Sequence, residues 1–481
     1  MPEPDVLRPF QKEVVDFTFK RKRAGLALDM GLGKSACALT VGARARLQRW
    51  LILCPDNAFS VWKTEAPRWV KNEWADANLV IKYIQGESWN RDLLWNEDLP
   101  LKPNDLLIYI CTPDVFIRDW AETLKIPGKK RKQFVLKPKK GYRIPDILIF
   151  DEAKKMRNKD SKTFQTLSRF LLYYNVQWFL PMTGTPGHTP KDFWTMLHCI
   201  DRKLFKSHYQ FINTFHEIHE GFFGAEILGP RNLDRWHQVL GQYFSVVKED
   251  DEGIAEQRPP ITRQLLPINM DPDQAKLYSE LLKDLMSYVE QDDNLIVVPN
   301  TFALCTRLRQ ALVCPRILSP SLGVGAAIRD FAQTVEPEEH NVIFTPFTGA
   351  FPIFEAYLRQ EGFKHVYALR GGMGTPARDE VLHTYRTCGG TVICSTLYAQ
   401  AFSLEPATKS FAIGYDWNPD NNRQAEKRLH RLTTQNPITS YYYTFRSTFD
   451  ERLCDIVNVK QRHVNLTIPK NLRALLSGED L

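Results

Sequence analysis

Three clusters of residues in this 481-residue chain have the types and spacing that phosphate chemistry needs. The first is LDMGLGKS, residues 28–35. Gly31 and Gly33, with Leu32 between them, let backbone N–H groups approach phosphate oxygens. Lys34 can reach the β- and γ-phosphates of a nucleotide, and the Ser35 hydroxyl can ligate Mg²⁺. A bare Gly-Lys-Ser triplet is weak by itself, and the strict phosphate-loop pattern wants glycine where this chain has Leu28. The second cluster is ILIFDEAKK, where Asp151 and Glu152 end an apolar run. Carboxylates at a strand's C-terminal end face the ligand crevice of an open α/β sheet. There Asp151 can hold Mg²⁺ while Glu152 orients and deprotonates an attacking water. A solvated acidic turn is the plain alternative. Together, a phosphate turn followed by an acidic strand end favour a nucleotide hydrolase. The third cluster is QAEKRLHR, residues 424–431. On a helix, Gln424, Arg428 and Arg431 fall at i, i+4 and i+7 and share one face. Two such arginines either line a solvated basic helix or close on a γ-phosphate, where arginine fingers contribute roughly 10³–10⁵ in rate.

The elements that must position these groups are short apolar runs with helical spacers. The first series covers 25–30, 50–55, 105–112, 147–152 and 176–184; the second covers 342–347, 366–369, 391–396, 411–416 and 440–445. Apolar strands alternating with helices predict parallel sheets covered on both faces, and two series predict two α/β domains. Residues 186–250 read as a helical, aromatic accessory part of the first domain. The acidic, proline-containing stretch KEDDEGIAEQRPP at 248–260 reads as a linker, which places the domains at 1–255 and 256–481. A helical pattern resumes over 272–313, and the segment after about 449 reads as a helical tail.

Bulk properties constrain the class. The chain is 43% hydrophobic and 25% charged, a balance that can build real cores. Net charge of +7 permits a polyanionic partner without demanding one. The N-terminus MPEPDVLRPFQKEV has no apolar signal core, and no apolar run approaches the ~18 residues a membrane-spanning helix needs. A soluble, intracellular protein without membrane association is expected. Nine scattered cysteines, none spaced C-x-x-C, predict reduced thiols and no zinc module.

The order of motifs extends these readings. LRPFQKEVVDF, LDMGLGKS, LILCPDNAFSVWKTEAPRW, IFDEAKKMRNKDSKTFQTL and LPMTGTP resemble, in sequence, the first-half motifs of the Swi/Snf-type helicase-related ATPases of helicase superfamily 2. MDPDQAKLY, LRQALVCPRIL, VIFTPFTGAFPIFEAYL, LRGGMGTPARDEVLHTYR and DWNPDNNRQAEKRLHRLTTQ resemble those of the second half. The resemblance implies two RecA-like parallel-sheet lobes with a helical insertion after the third motif. It also implies an ATP hydrolase using Mg²⁺, coupled to translocation on duplex DNA. In it, Arg8 and Gln11 fall in the adenine-recognising segment. Gly31, Leu32, Gly33, Lys34 and Ser35 hold phosphate, and Ser35 and Asp151 hold the metal. Lys34, Asp151, Glu152, Arg428 and Arg431 carry the chemistry, with Gln424 at the nucleotide. Two departures stand out. Motif II reads DEAK, with Lys154 where the family usually has histidine, and the motif V region STLYAQAFSLEPA lacks small glycines at Gln400, Ala401 and Ser403.

DNA, mainly duplex or branched, is the expected partner of a monomeric chain. Residues 55–62, Thr112, Thr183 and Thr185 are candidates for backbone contacts, since hydroxyls and amides suit sequence-independent phosphate binding. The run 129–143 carries eight Lys or Arg, including Lys129, Lys130, Arg131 and Lys132, and reads as a surface loop able to add phosphate contacts. His216 and His219 in FHEIHE lack the spacing of a metal pair and read as core or surface histidines. Tyr209, Phe211, Phe215, Phe222 and Phe223 read as core. Displacement of DNA-bound proteins, a nucleotide-controlled binding module with little turnover, and an RNA helicase are the competing functions.

Overall fold

A computed structural model describes residues 6–96, 100–124, 133–137, 139, 144–184, 187, 189–205, 207–221, 224–255, 259–290, 298–396, 402–414, 416, 419–430, 434, 436–448 and 450–451. They form two compact units, the first ending at Ala255.

In the first unit the strands are β1 (Gly25–Leu28), β2 (Arg49–Leu53), β3 (Asn78–Tyr83), β4 (Asp105–Cys111), β5 (Ala121–Leu124), β6 (Gln133–Leu136), β7 (Ile147–Phe150), β8 (Trp178–Pro181), β9 (His216–Gly221), β10 (Gly224–Pro230) and β11 (Phe244–Val247). Five of them pair in the order β3-β4-β2-β7-β8, every pair parallel. The sheet continues beyond β8. Parallel bridges join Arg23 to Phe179 and Leu26 to Met182, and β1 pairs in parallel with β11. β1, β7 and β8 are buried at every residue, which is why they read as uninterrupted apolar runs. Helices Lys34–Arg44, Phe59–Glu73 and Lys162–Tyr173 supply amphipathic cover, burying positions such as Leu39, Trp62, Val70, Phe164 and Leu167.

The accessory part differs from the sequence reading. It contains helices Trp194–Ile200, His208–Phe215 and Leu233–Tyr243, but also the antiparallel hairpin β9–β10. Its last segment, Phe244–Val247, is a strand of the sheet itself, beside the strand that leads into the phosphate turn. Pairing to a strand some 200 residues earlier leaves no local periodicity, so FSVV could not be recognised as a sheet member. Residues 133–136 are likewise a strand paired antiparallel with β5, not a loop; Lys129, Lys130, Arg131 and Lys132 lie outside the described residues. Phe211 and Phe215 are in the core as expected, whereas Tyr209 is 74% exposed; Phe222 and Phe223 lie outside the described residues.

His216 is fully buried and its Nε2 accepts the Lys191 amide at 2.9 Å, while His219 is exposed. That bond requires a neutral ring, and burial holds the His216 pKa down at about 4. A folded-state pKa below the unfolded value contributes stability above pH 6.5 that is lost as pH falls towards 4. Chemical denaturation at pH 7 and pH 4.5 should show a loss of about 2–3 kcal/mol from this group, and His216→Gln should remove most of that difference.

The second unit carries β12 (Ile261–Ile268), β13 (Asn341–Thr345), β14 (Val366–Leu369), β15 (Thr391–Ser395), β16 (Lys409–Ile413) and β17 (Ile438–Phe445). They form one parallel sheet in the order β12-β17-β16-β13-β15-β14. β12 carries no continuous apolar run to mark it in the sequence. It is an edge strand, with Thr262 to Leu265 exposed, so its sequence ITRQLLPI lacks the buried run of its neighbours. Gln274 clips this unit together: Nε2 donates to the Ala311 and Leu312 carbonyls at 2.9 and 2.6 Å, and Oε1 accepts the Ala326 amide. Both units are therefore α/β domains built on parallel sheets. Among the described residues no helix is long and apolar enough to cross a membrane.

Candidate nucleotide site

The chain leaves β1 through a tight turn and enters the helix Lys34–Arg44. Gly31 and Gly33 adopt φ of 78° and 81°, a region that costs an L side chain roughly 1–2 kcal/mol. Gly33 has a second reason to be glycine: a Cβ there would lie 2.3 Å from Gln11 Nε2. Leu28, the position of the missing pattern glycine, is a fully buried strand residue whose side chain belongs to the core. Its carbonyl and that of Asp29 accept Lys34 Nζ at 3.1 and 3.4 Å.

Gln11 ties the N-terminal helix Pro9–Arg21 to this turn. Its Nε2 donates to Leu32 O at 3.0 Å, and its Oε1 accepts the Arg8 amide at 2.9 Å, so Arg8 and Gln11 form the helix cap together. The amide that the sequence places in base recognition is thus held 6% exposed against the phosphate turn.

Asp151 and Glu152 follow β7. Asp151 Oδ1 accepts the Glu152 amide at 2.9 Å, and Trp62 Nε1 donates to Oδ2 at 3.4 Å. Trp62, fully buried on the helix Phe59–Glu73, is therefore a carboxylate partner inside the unit and not a DNA contact. Nothing in the sequence distinguishes it from any other core tryptophan. Burial raises the Asp151 pKa to about 6, helped by the Glu152 charge and opposed by Lys34. The Lys34 ammonium and the Asp151 carboxylate therefore feel one another across the end of β8. Glu152 sits at φ 52° and its Oε2 is buried without a hydrogen-bond partner among the described residues. A carboxylate oxygen so placed is costly unless something comes to it.

The segment after β8 stitches these parts together. Met182 N donates to Phe150 O at 2.8 Å, Ala153 N to Met182 O at 2.9 Å, and Thr183 N to Leu26 O at 3.0 Å. At Gly184 a Cβ would lie 2.8 Å from Met30 Cγ and 3.3 Å from Lys34 Nζ, so a side chain there would displace Met30 and crowd the lysine. Thr183 is 1% exposed. Thr185 lies outside the described residues. Thr112 Oγ1 accepts Val115 N at 3.3 Å, capping the helix Pro113–Trp120, a cap worth roughly 1 kcal/mol.

In the second unit the expected helical stripe is interrupted. The helix Pro419–Glu426 ends before Arg428, whose amide donates to Ala425 O at 3.0 Å in a tighter turn. Tertiary anchors override the helical propensity here. Glu426 is bound by Arg263 at 2.9–3.1 Å and by Tyr442, and His430 Nε2 pairs with Pro259 O at 2.7 Å. Arg431 lies outside the described residues. Gln424 is 1% exposed, and among the described residues neither of its amide atoms has a hydrogen-bond partner. In the motif V region Ser403 Oγ donates to Glu405 Oε2 at 3.2 Å; Gln400 and Ala401 lie outside the described residues.

A parallel sheet with a phosphate turn after one strand and an acidic pair after another, joined by the strand between them, defines a P-loop nucleotide-binding unit. The profile of the SNF2-related domain matches residues 10–317, and the chain belongs to that family, the Swi/Snf-type helicase-related ATPases. Chromodomain-helicase-DNA-binding protein 8 of Xenopus tropicalis is 22% identical over 528 residues, spanning 98% of this chain and 22% of the relative. The CHD3-type chromatin-remodeling factor PICKLE of Arabidopsis thaliana is 22% identical over 525 residues, 99% of this chain and 35% of the relative. The chain thus spans about a fifth to a third of the length of these curated relatives. Among solved structures, the Sulfolobus solfataricus SWI2/SNF2 ATPase core in complex with dsDNA aligns over 97% of this chain and 98% of that one, at 16% identity and TM-score 0.41.

Proposed function

We propose that the chain is an ATP-driven motor that translocates on double-stranded DNA and remodels forked or branched DNA. The observation that carries the nucleotide half is the convergence of Lys34, Asp151 and Glu152 at the C-terminal ends of β1 and β7, stitched by the segment 182–184. The residues fit ATP and Mg²⁺. Gly31 and Gly33 hold the positive φ of a phosphate-cradling turn, Asp151 is a buried carboxylate whose ionised form a cation would stabilise, and Glu152 Oε2 has no hydrogen-bond partner among the described residues. Ser35 and Asp151 would hold Mg²⁺, which would supply positive charge to offset that of the phosphates. Lys34 binds the β- and γ-oxygens when it leaves the Leu28 and Asp29 carbonyls. Glu152 orients the attacking water and takes its proton, and Arg8 with Gln11 holds the base when the Gln11 amide exchanges its Leu32 and Arg8 backbone partners for it. Gln424, Arg428 and Arg431 are assigned to the γ-phosphate by their match to the family's last motif; the buried, unbonded amide of Gln424 suits a group awaiting a ligand.

The DNA half rests on family membership. Lys129, Lys130, Arg131, Lys132, Thr112 and Thr185 are its candidate contacts. Steady-state ATP hydrolysis across single-stranded, duplex, forked and four-way DNA tests the reading. Stimulation by duplex and branched forms is expected, and no stimulation by any DNA would contradict it. Phosphate tracking further predicts that DNA affinity falls on the order of 10³-fold between about 50 and about 200 mM salt, with little dependence on sequence, as fluorescence anisotropy would show.

A second reading is favoured by the relatives' names, which include chromatin-remodeling factors. In it the same motor strips proteins from DNA. Displacement of a DNA-bound protein, compared with migration of a naked four-way junction, separates the two.

A further inference from the structure

Motif II reads DEAK where the family usually has DEAH, and Lys154 has a specific neighbour. Its Nζ lies 3.7 Å from Glu152 Oε2, the oxygen that makes no hydrogen bond. The separation is beyond hydrogen-bonding distance and within ion-pairing distance. Both side chains are partly enclosed, 22% exposed for Lys154 and 18% for Glu152. We propose that Lys154 is a positioning residue that holds the Glu152 carboxylate in an ion pair and restrains hydrolysis until DNA engagement displaces it. The inference rests on the motor reading above.

The proposal follows from what each group must do. A carboxylate that takes a proton from water needs its lone pair free and aimed at that water. An ammonium at 3.7 Å draws on the same oxygen. A histidine at this position would be a shorter, planar group that can stay neutral, whereas lysine brings a full charge on a flexible four-carbon stem. The stem also lets the charge leave. Lys154 lies in the short helical turn Ala153–Met156, and Ala153 N is bonded to Met182 O, on the segment that continues to Thr183 and Gly184. Any shift of that segment is transmitted by one hydrogen bond to the turn carrying Lys154.

The test compares ATP hydrolysis by the full chain, with and without saturating duplex DNA, for wild type, Lys154→Met and Lys154→Arg. Lys154→Met should raise the DNA-free rate about fivefold, the scale of a partly exposed ion pair, and leave the DNA-stimulated rate within about twofold. The stimulation ratio then collapses, while Lys154→Arg keeps the wild-type ratio. A merely structural lysine would lower both rates together. If Lys154→Met melts early, Lys154→Gln provides the same comparison. An unchanged ratio, or a lower DNA-free rate, in a stably folded variant overturns the inference alone. A wild type that hydrolyses no ATP with or without DNA overturns the motor reading, and the inference with it.

Discussion

Lys34→Ala should lower ATP turnover by about 10³-fold and weaken nucleotide binding, with little change in folding. Lys34 is the one cation of the phosphate turn, and it opens the helix that follows the turn. Its ammonium rests on the Leu28 and Asp29 carbonyls. Removing those bonds costs the fold about 1 kcal/mol, because the lysine is only partly buried and water can reach the carbonyls it leaves. The melting temperature should therefore move by a few degrees at most, while hydrolysis becomes hard to detect. A coupled-enzyme assay, a nucleotide titration and a thermal melt on the same preparation separate these effects. A variant that retains most of its turnover would remove Lys34 from the site.

Glu152→Gln should have a different signature. Turnover should fall about 10²–10⁴-fold while nucleotide affinity stays within a few-fold of wild type, because the amide cannot accept the proton of the attacking water. Glutamine matches glutamate in size, and Glu152 Oε2 has no hydrogen bond to lose. The amide is neutral, so the Lys154 ion pair disappears at little cost to stability. The backbone bond from Glu152 N to Asp151 Oδ1 is untouched. Loss of nucleotide affinity as large as the loss of turnover would assign Glu152 to binding and not to water activation.

The two predictions depend on features with different visibility in the sequence. Lys34 and the Asp151–Glu152 pair were legible because each follows a strand buried at every residue, and such strands write themselves as apolar runs. The contacts that make them a site were not. Trp62 reaches Asp151 from a helix whose pattern says only that one face is buried. Gly184 is a spacer whose need appears only when Met30 Cγ and Lys34 Nζ are placed beside it. Phe244–Val247 joins the sheet beside β1 through a pairing no local pattern encodes. The helix that carries Gln424 stops short of Arg428 for the opposite reason. QAEKRLHR has helical propensity, but Glu426 and His430 are tied to Arg263, Tyr442 and the Pro259 carbonyl, and the helix ends at Glu426. Local patterns thus located the strand ends, and long-range contacts decided what each strand end touches.

The most direct measurement of the central claim is displacement of a third strand from a triplex by the full chain moving along the underlying duplex. Wild type should release the third strand only when ATP is hydrolysed, and Glu152→Gln, still binding nucleotide and DNA, should not. Release without hydrolysis, equal release by Glu152→Gln, or no release by a wild type that hydrolyses ATP on duplex DNA would contradict a translocating motor.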